Sequence, residues 1–99
     1  MCQSGKVSVN FEWDENKNQA NIRKHDIDFV EASKIFKDPN FIVNADNRRD
    51  YGETRYQIIG AVDPYGILLV VYTERHENTI RLISARKADK KERRLYQAG

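Results

Sequence analysis

The C-terminal half of the chain contains three consecutive apolar runs, and these limit the folds open to it. The runs are rich in Ile, Val, Leu and Tyr, as β-strands are, and read TRYQIIGAV (54–62), ILLVVYTER (67–75) and TIRLISAR (79–86). Asp63 to Gly66 joins the first two runs, with Pro and Gly at positions that a type I turn favours. His76 to Asn78 closes a second hairpin. The pattern therefore predicts an antiparallel meander.

The N-terminal half begins with a predicted strand and a predicted helix. Lys6 to Trp13 alternates apolar and polar residues, which is typical of a strand. Asp14 fits the N-cap of a helix through ENKNQANIRKH, residues 15–25. That helix has few apolar residues, so we expect it on the surface.

A second helix and a short strand follow. Asp28 with Glu31 three residues later matches a capping box, and Pro39 ends the helix. The core-facing stripe of this helix consists of Phe29, Ala32, Ile35 and Phe36. Phe41 to Val43 then predicts a short strand.

A last helix, Lys90 to Gln97, follows the third apolar run. Asp89 caps it, with Glu92 three residues on. Its docking residues are predicted to be Leu95 and Tyr96. The order of elements predicts an α+β fold, in which an antiparallel meander is packed on one face by two N-terminal helices and one C-terminal helix.

Composition is typical of a soluble globular domain. Apolar residues make up 39% of the chain and charged residues 32%. No linker divides the sequence, so residues 1–99 are predicted to form a single domain. The longest apolar run, Ile67 to Tyr72, is too short to cross a bilayer, and Met1 to Lys6 lacks the apolar core of a signal peptide. We therefore expect a cytoplasmic protein with no membrane contact.

Positive charge is concentrated near the C-terminus. Residues 81–94 contain seven basic and two acidic residues, a net charge of +5, whereas the whole chain carries +2, so the remainder carries −3. A one-sided basic segment attracts phosphate backbones. Terminal helices rich in Lys and Arg are also common as solvated surfaces, however. Charge alone leaves both interpretations open.

Several common active-site patterns are missing from the sequence. Cys2 is the only cysteine, and the two histidines, His25 and His76, lie far apart. The sequence has neither HxxxH nor CxxC, and its glycines form no phosphate-binding or dinucleotide-binding loop. The sequence therefore predicts neither a metal site nor a cofactor, and arginines at strand ends remain as candidates.

Those arginines are Arg55, Arg75, Arg81 and Arg86. If residues 76–80 form a five-residue loop, Arg75 and Arg81 pair directly across the hairpin. Like charges in that position destabilise a sheet, but a guanidinium fork matches a phosphate. A register shift of one residue separates the two arginines, and Glu53 or Glu74 could neutralise either one. An anion site and a structural role therefore both stay open.

Glu53 is the first candidate for a general base because it lies two residues from Arg55. RNA cleavage without a metal needs an activated ribose 2′-hydroxyl, stabilisation of the charge on the phosphorane, and a protonated leaving 5′-oxygen. His25 is a candidate acid, although a histidine at a helix end often caps carbonyls. His76, at a hairpin tip, is expected in solvent.

Five ordered fragments resemble the BrnT ribonuclease toxins of bacterial type II toxin–antitoxin systems. The family pattern reads Trp-Asp, Asn-x-x-Lys-His, Phe-x-x-Ala, Gly-Glu-x-Arg and Arg-x-Ile-Ser-Ala-Arg. The resemblance extends from Phe11 to Tyr96. The residues that carry it are Trp13, Asp14, Asn21, Lys24, His25, Phe29, Ala32, Gly52, Glu53, Arg55, Arg81 and Ile83 to Arg86. Relatives commonly have Gly after Lys-His. Here Asp26 takes that place, and we expect it in the left-handed conformation that ends the first helix.

The resemblance implies a RelE-like fold and a metal-independent endoribonuclease that arrests translation. It implies an RNA substrate and a ribbon-helix-helix antitoxin of the BrnA type, with promoter DNA bound only through the toxin–antitoxin complex. The implied catalytic cluster consists of Glu53, Arg55, Arg75, Arg81 and Arg86. The predicted RNA-binding residues are Lys24, His25, Lys87 and Lys90. We hypothesise that Arg75 and Arg81 bind the scissile phosphate and that Glu53 acts as the base or orients Arg55. Arg86 and the lysines of the last helix would hold flanking phosphates.

Two other classes of function fit the same basic segment. The domain could bind nucleic acid without cleaving it, or it could dock another protein through its basic C-terminal helix. RNA incubated with the protein in EDTA separates these classes, because a binder shifts RNA whereas a nuclease shortens it.

Overall fold

The structure is a computed structural model that describes residues 9–46, 52–76 and 78–98. Its strands are β1 (Asn10–Glu12), β2 (Ile42–Asp46), β3 (Arg55–Val62), β4 (Gly66–Arg75) and β5 (Thr79–Lys87). Its helices are α1 (Glu15–His25), α2 (Phe29–Ala32), which continues into a 3₁₀ helix (Ser33–Lys37), and α3 (Lys90–Ala98). The predicted order of elements is confirmed. Residues 6–8 of the predicted first strand and Glu77 of the predicted hairpin loop lie outside the described residues.

The five strands form one mixed sheet in the order β1-β5-β4-β3-β2. Strands β2 to β5 are antiparallel neighbours, as predicted for the meander. Strand β1 instead pairs in parallel with β5, with Glu12 opposite Arg81. The prediction of a purely antiparallel sheet is therefore wrong at this edge, because α1, α2 and the meander separate β1 from β5 in sequence and let it enter in either direction.

The first face of the sheet carries the main core. Buried residues of β3, β4 and β5 pack there against α2 and its 3₁₀ extension, as the predicted stripe requires; they include Ile58, Leu68, Val70, Leu82, Phe29 and Ile35. Phe11 of β1 adds to this face through its ring contact with Phe36, at 5.5 Å between centroids.

The second face has a smaller apolar cluster built on Ile59, Leu69 and Val71. Tyr96 of α3 packs against this cluster, whereas Leu95 is 50% exposed. The expectation that all helices share one face is therefore wrong, and so is the docking role predicted for Leu95. The likeness to RelE-type toxins stays a prediction.

Local signals set the helix boundaries as predicted. Asp14 and Asp28 accept hydrogen bonds from the backbone N–H groups of Asn16 and Val30, so both act as N-caps. Asp26 ends α1 in the left-handed region at φ 60°, and its N–H donates to Ile22 O. The expectation for Asp26 is confirmed.

Buried asparagines on α1 join the helix to the rest of the fold. The Asn21 side chain donates to Ile27 O at 3.0 Å and accepts from the backbone N–H of Ala85 on β5 at 3.1 Å. Asn18 accepts from Phe29 N at 2.9 Å. Since α1 is poor in apolar residues, these bonds explain how a polar helix is held against the edge of β5.

The turn between β3 and β4 differs by one residue from the prediction. Tyr65 N donates to Val62 O at 2.8 Å, so the turn starts at Val62, one residue before Asp63. The Asp63–Pro64 peptide bond is cis.

Gly60 allows the segment after the 3₁₀ helix to approach the sheet closely. A Cβ atom at this position would lie 2.8 Å from Ile35 Cγ1 and 3.2 Å from Asp38 Oδ2. Asp38 in turn accepts from Ala61 N at 2.8 Å and from the Tyr96 hydroxyl at 2.6 Å. Burial opposes ionisation of Asp38, but hydrogen bonds from Tyr96, Ala61 and Asn40 outweigh it and lower its pKa. Asp38 therefore anchors the end of α3.

Candidate active site

A line of polar side chains crosses all five strands at one end of the second face. The strand register places Asp46 opposite Arg55, Arg55 opposite Thr73, Thr73 opposite Arg81, and Arg81 opposite Glu12. We call these five residues the charged row. Paired residues in a sheet point to the same side, so the five side chains of the row share one face. They come from both halves of the chain.

Thr73 forms the buried centre of the charged row. It is 3% exposed, and its hydroxyl donates to the carbonyl of Thr54 at 2.6 Å. Its neighbour Tyr72 points to the first face, where burial, then Glu74 and Tyr56, raise the Tyr72 pKa to about 12. Tyr72 therefore stays protonated and faces away from the row.

Glu12 contacts two arginines that come from different strands. Its Oε2 atom lies 3.0 Å from Arg81 Nη1 and 3.8 Å from Arg75 Nε. Sequence reasoning missed Glu12 as a functional candidate, because only the parallel pairing of β1 with β5 brings it to these arginines. The one available signal was its place on the polar side of the alternating segment.

The register separates Arg75 from Arg81. Arg75 lies opposite Thr79, and Arg81 lies opposite Thr73, since the hairpin loop is shorter than five residues. The conditional prediction of a directly opposed pair is therefore wrong. The two arginines are instead diagonal neighbours on one face, and the Glu12 carboxylate offsets their repulsion.

Glu53 and Arg55 lie together, as their spacing suggests. Glu53 Oε2 is 3.3 Å from Arg55 Nε, and the two side chains are 35% and 23% exposed. Gly52, just before them, has φ +75°, a backbone conformation that suits glycine and turns the chain into β3. Glu53, Arg55, Arg75 and Arg81 of the predicted cluster therefore all lie at this end of the sheet.

Arg86 reaches the same face but at the opposite end. Strict alternation would place Arg81 and Arg86 on different faces, but an irregularity at Val71/Tyr72 adds one residue to β5 and restores the shared side. Arg86 lies opposite Leu69, whereas Arg81 lies opposite Thr73. These partners are four residues apart on β4, so the two arginines are separated by about 13 Å along the strands. Both Arg86 Nη atoms donate to Glu92 at 2.8 Å.

The predicted RNA-binding residues are spread around the Arg86 end. Lys24 and His25 line a cavity of about 210 Å³ between α1 and β5, together with Lys17, Ile83 and Ser84. Burial, then the charges of Lys24 and Arg86, lower the pKa of His25. These effects favour the neutral form of His25.

Lys87 and Lys90 are both exposed. Lys87 lies opposite Leu68, so it points to the first face and away from the charged row. Lys90 is the first residue of α3.

Two further observations concern only residues 9–46, 52–76 and 78–98. Within these ranges no three His, Cys, Asp or Glu side chains come together as metal ligands. Within the same ranges, no helix has the length and apolar character needed to span a membrane.

Two comparisons with known proteins identify the same family. A family model described as the ribonuclease toxin, BrnT, of type II toxin–antitoxin systems matches residues 13–92. Among solved structures, the chain is similar to the crystal structure of the Brucella abortus ribonuclease toxin, BrnT. The sequence identity is 26% and the TM-score 0.65, over 84% of this chain and 100% of that one. A search of curated proteins finds no match.

Proposed function

Because the chain belongs to the BrnT family of ribonuclease toxins of type II toxin–antitoxin systems, we propose that it cleaves RNA internally at the charged row without a metal ion. The single observation that carries the site is that Arg55, Arg75 and Arg81 lie at the same end of the second face. Three guanidinium groups there offer the planar donors that a phosphate accepts.

The arginines supply the main chemical contribution. Arg75 and Arg81 hold the non-bridging oxygens of the scissile phosphate, and their charge stabilises the extra negative charge of the phosphorane. Arg55 lies one strand further and is oriented by Glu53 at 3.3 Å. Removing one such donor typically slows an enzyme by about 10²- to 10³-fold.

The Arg86 end would bind the RNA on one side of the cleaved bond. Lys24 and Lys90 provide exposed charge, and His25 lines the neighbouring cavity, whereas Lys87 points to the first face and could contact only RNA that passes around the sheet edge. Arg86 itself is engaged by both oxygens of Glu92, so we assign it mainly to holding α3. These contacts are electrostatic and therefore weaken with salt.

The biological setting follows from the family. We propose that the chain acts in the cytoplasm, where RNA cleavage inhibits translation. A ribbon-helix-helix antitoxin of the BrnA type neutralises it, and the toxin–antitoxin complex contacts promoter DNA through the antitoxin. Expression of the chain alone should then stop growth, and co-expression of the antitoxin should restore it.

Purified protein incubated with RNA in EDTA tests the proposed activity. The wild-type chain should shorten the RNA, and Arg81→Ala should lower the cleavage rate by about 10²- to 10³-fold. The unfolding free energy of this variant should change by less than about 1 kcal/mol, since the ion pair it breaks is solvent-accessible. Gel analysis of the RNA and urea unfolding measure the two quantities.

Each other outcome rejects a specific part of the proposal. RNA that shifts but stays intact indicates a binding module, and RNA that neither shifts nor shortens indicates a protein-interaction domain. Folded Arg81→Ala protein that cleaves at the full rate rules out the arginine mechanism.

A further inference from the structure

Glu12 is held in a fixed position relative to the arginines. Strand β1 is joined to the end of the β4–β5 hairpin through the hydrogen bond from Asn10 N to Asn78 O, at 2.9 Å. Phe11 packs on the first face against Phe36. Strand alternation therefore directs Glu12 to the second face, where one carboxylate oxygen contacts both Arg81 and Arg75.

A contribution to stability does not explain why Glu12 is placed beside Arg81 and Arg75. The Glu12 side chain is 40% exposed, and its partners Arg81 and Arg75 are 37% and 46% exposed. Ion pairs this accessible contribute at most about 1 kcal/mol each. A carboxylate beside two phosphate-binding guanidinium groups also repels the phosphate and weakens substrate binding. A role in the reaction would explain why it lies there.

We propose that Glu12 is the general base of RNA cleavage. This inference rests on the proposed function and adds a named proton acceptor to it. A phosphate bound between Arg75 and Arg81 lies beside the Glu12 carboxylate, within the reach that proton abstraction from the adjacent ribose requires.

The reaction is a transesterification. The Glu12 carboxylate takes the proton of the 2′-hydroxyl, and the 2′-oxygen forms a bond to phosphorus. The bond from phosphorus to the 5′-oxygen breaks, and that oxygen takes a proton from a solvent water molecule. The products are a 2′,3′-cyclic phosphate and a 5′-hydroxyl, and Glu12 returns its proton to solvent.

Glu12 fits this role better than Glu53. Glu53 contacts Arg55 on β3, which lies one strand away from Arg75 and two strands away from Arg81. Glu53 also precedes β3 rather than lying within a strand. Among the described residues, the charged groups that face Glu12 are Arg81 from β5 and Arg75 from β4. A base fixed between the two phosphate ligands is already oriented for the reaction.

Glu12→Gln tests the proposal, with Glu74→Gln as the matched control. Glu74 is an exposed carboxylate at the same end of the sheet, but it lies opposite Ile80 and faces the other side. Glu12→Gln should cleave RNA about 10²- to 10⁴-fold more slowly, while its RNA affinity is equal to or higher than that of the wild type. Glu74→Gln should retain the wild-type rate.

The rate–pH profile separates catalysis from positioning. The wild-type rate should fall in acid as the carboxylate is protonated, and Glu12→Gln should lack this acidic limb. A residue that only orients Arg81 would lower the rate and leave the limb in place. RNA with a 2′-deoxyribose at the mapped cleavage position should stay intact.

Three results would overturn the assignment of the base: a Glu12→Gln rate within tenfold of wild type, an unchanged acidic limb, or cleavage of the 2′-deoxy RNA. If Glu12→Gln fails to fold, Glu12→Asp is tested instead. A lower cleavage rate that still falls in acid supports Glu12 as the base, and an unchanged rate rejects it. Wild-type protein that leaves RNA intact rejects the proposed function instead, so the two failures are distinguishable.

Discussion

Two groups of arginine and carboxylate side chains lie at opposite ends of the same face of the sheet. In the charged row, Glu12 contacts Arg81 and Arg75 at 3.0 and 3.8 Å, and all three side chains are more than a third exposed. At the start of α3, a group that we call the helix junction consists of Arg86, Asp89 and Glu92. Its Arg86–Glu92 pair has two hydrogen bonds of 2.8 Å, and Glu92 is only 16% exposed.

The two groups differ in how tightly their arginines are held. Glu92 Oε1 also accepts from Asp89 N, and Asp89 accepts from Glu92 N, so the helix junction is a closed capping box extended by Arg86. An arginine held in this way stabilises the fold. The contacts of Glu12 with Arg81 and Arg75 are longer and more exposed, which supports the proposal that these two arginines bind a phosphate.

The largest expected effect on stability comes from Arg86→Ala. The change removes two charge-assisted hydrogen bonds and leaves a mostly buried carboxylate without them, so the unfolding free energy should fall by about 2 kcal/mol. Urea unfolding measures this loss. RNA cleavage by the folded variant should fall less than tenfold, in contrast to Arg81→Ala.

The paired variants can also contradict the comparison. If Arg86→Ala and Arg81→Ala lose equal amounts of unfolding free energy, the helix junction does not stabilise the fold more than the charged row does. Folded Arg86→Ala protein that cannot cleave RNA would place Arg86 in the reaction.

A smaller loss is expected from Asp89→Ala. The variant removes the N-cap of α3 but keeps the Arg86–Glu92 pair, so the unfolding free energy should fall by about 1 kcal/mol. Asp89→Asn is the matched control, because an amide oxygen still accepts from Glu92 N. A loss larger than that of Arg86→Ala would show that the cap, not the arginine, anchors the helix.

The smallest effect is expected from the titration of Glu92. The hydrogen bond from Arg86 is the main cause that lowers the Glu92 pKa below its ordinary value of 4.5, and burial opposes it. Because the folded pKa is the lower one, the stabilisation is complete above pH 4.5 and is lost as the pH falls through the folded value. The difference in unfolding free energy between the wild type and Glu92→Gln should therefore narrow below pH 4.5.

Urea unfolding at a series of pH values measures this narrowing. A difference that stays constant from pH 7 to pH 3 would mean that Glu92 acts through its shape and not through its charge.

Much of the candidate site could be predicted from the sequence as single residues, but not as one arrangement. Glu53 and Arg55 are two residues apart, so their contact was within reach of local reasoning. Arg75 and Arg81 could be placed near one hairpin, but their register depends on the loop length, and a shift of one residue changes every pair. Arg86 was grouped with them, although its position along the strand and its bond to Glu92 separate it from the row.

The sequence by itself determined the local structure. Capping side chains at Asp14, Asp28 and Asp89, the left-handed Asp26, and the three β-rich runs all act over a few residues, so the signals and their consequences lie close together in the chain. The order of helices and strands and the family pattern follow from the same kind of information.

Only the tertiary structure decided which of these residues meet. Glu12 and Arg81 are 69 positions apart, and they touch because β1 joins β5 in parallel. The extra residue in β5 brings Arg86 to the face of Arg81, and the position of Tyr96 on the second face moves α3 away from the other helices. The physical reason is that strand direction and register are set by how all layers pack at once, which no short stretch of sequence contains.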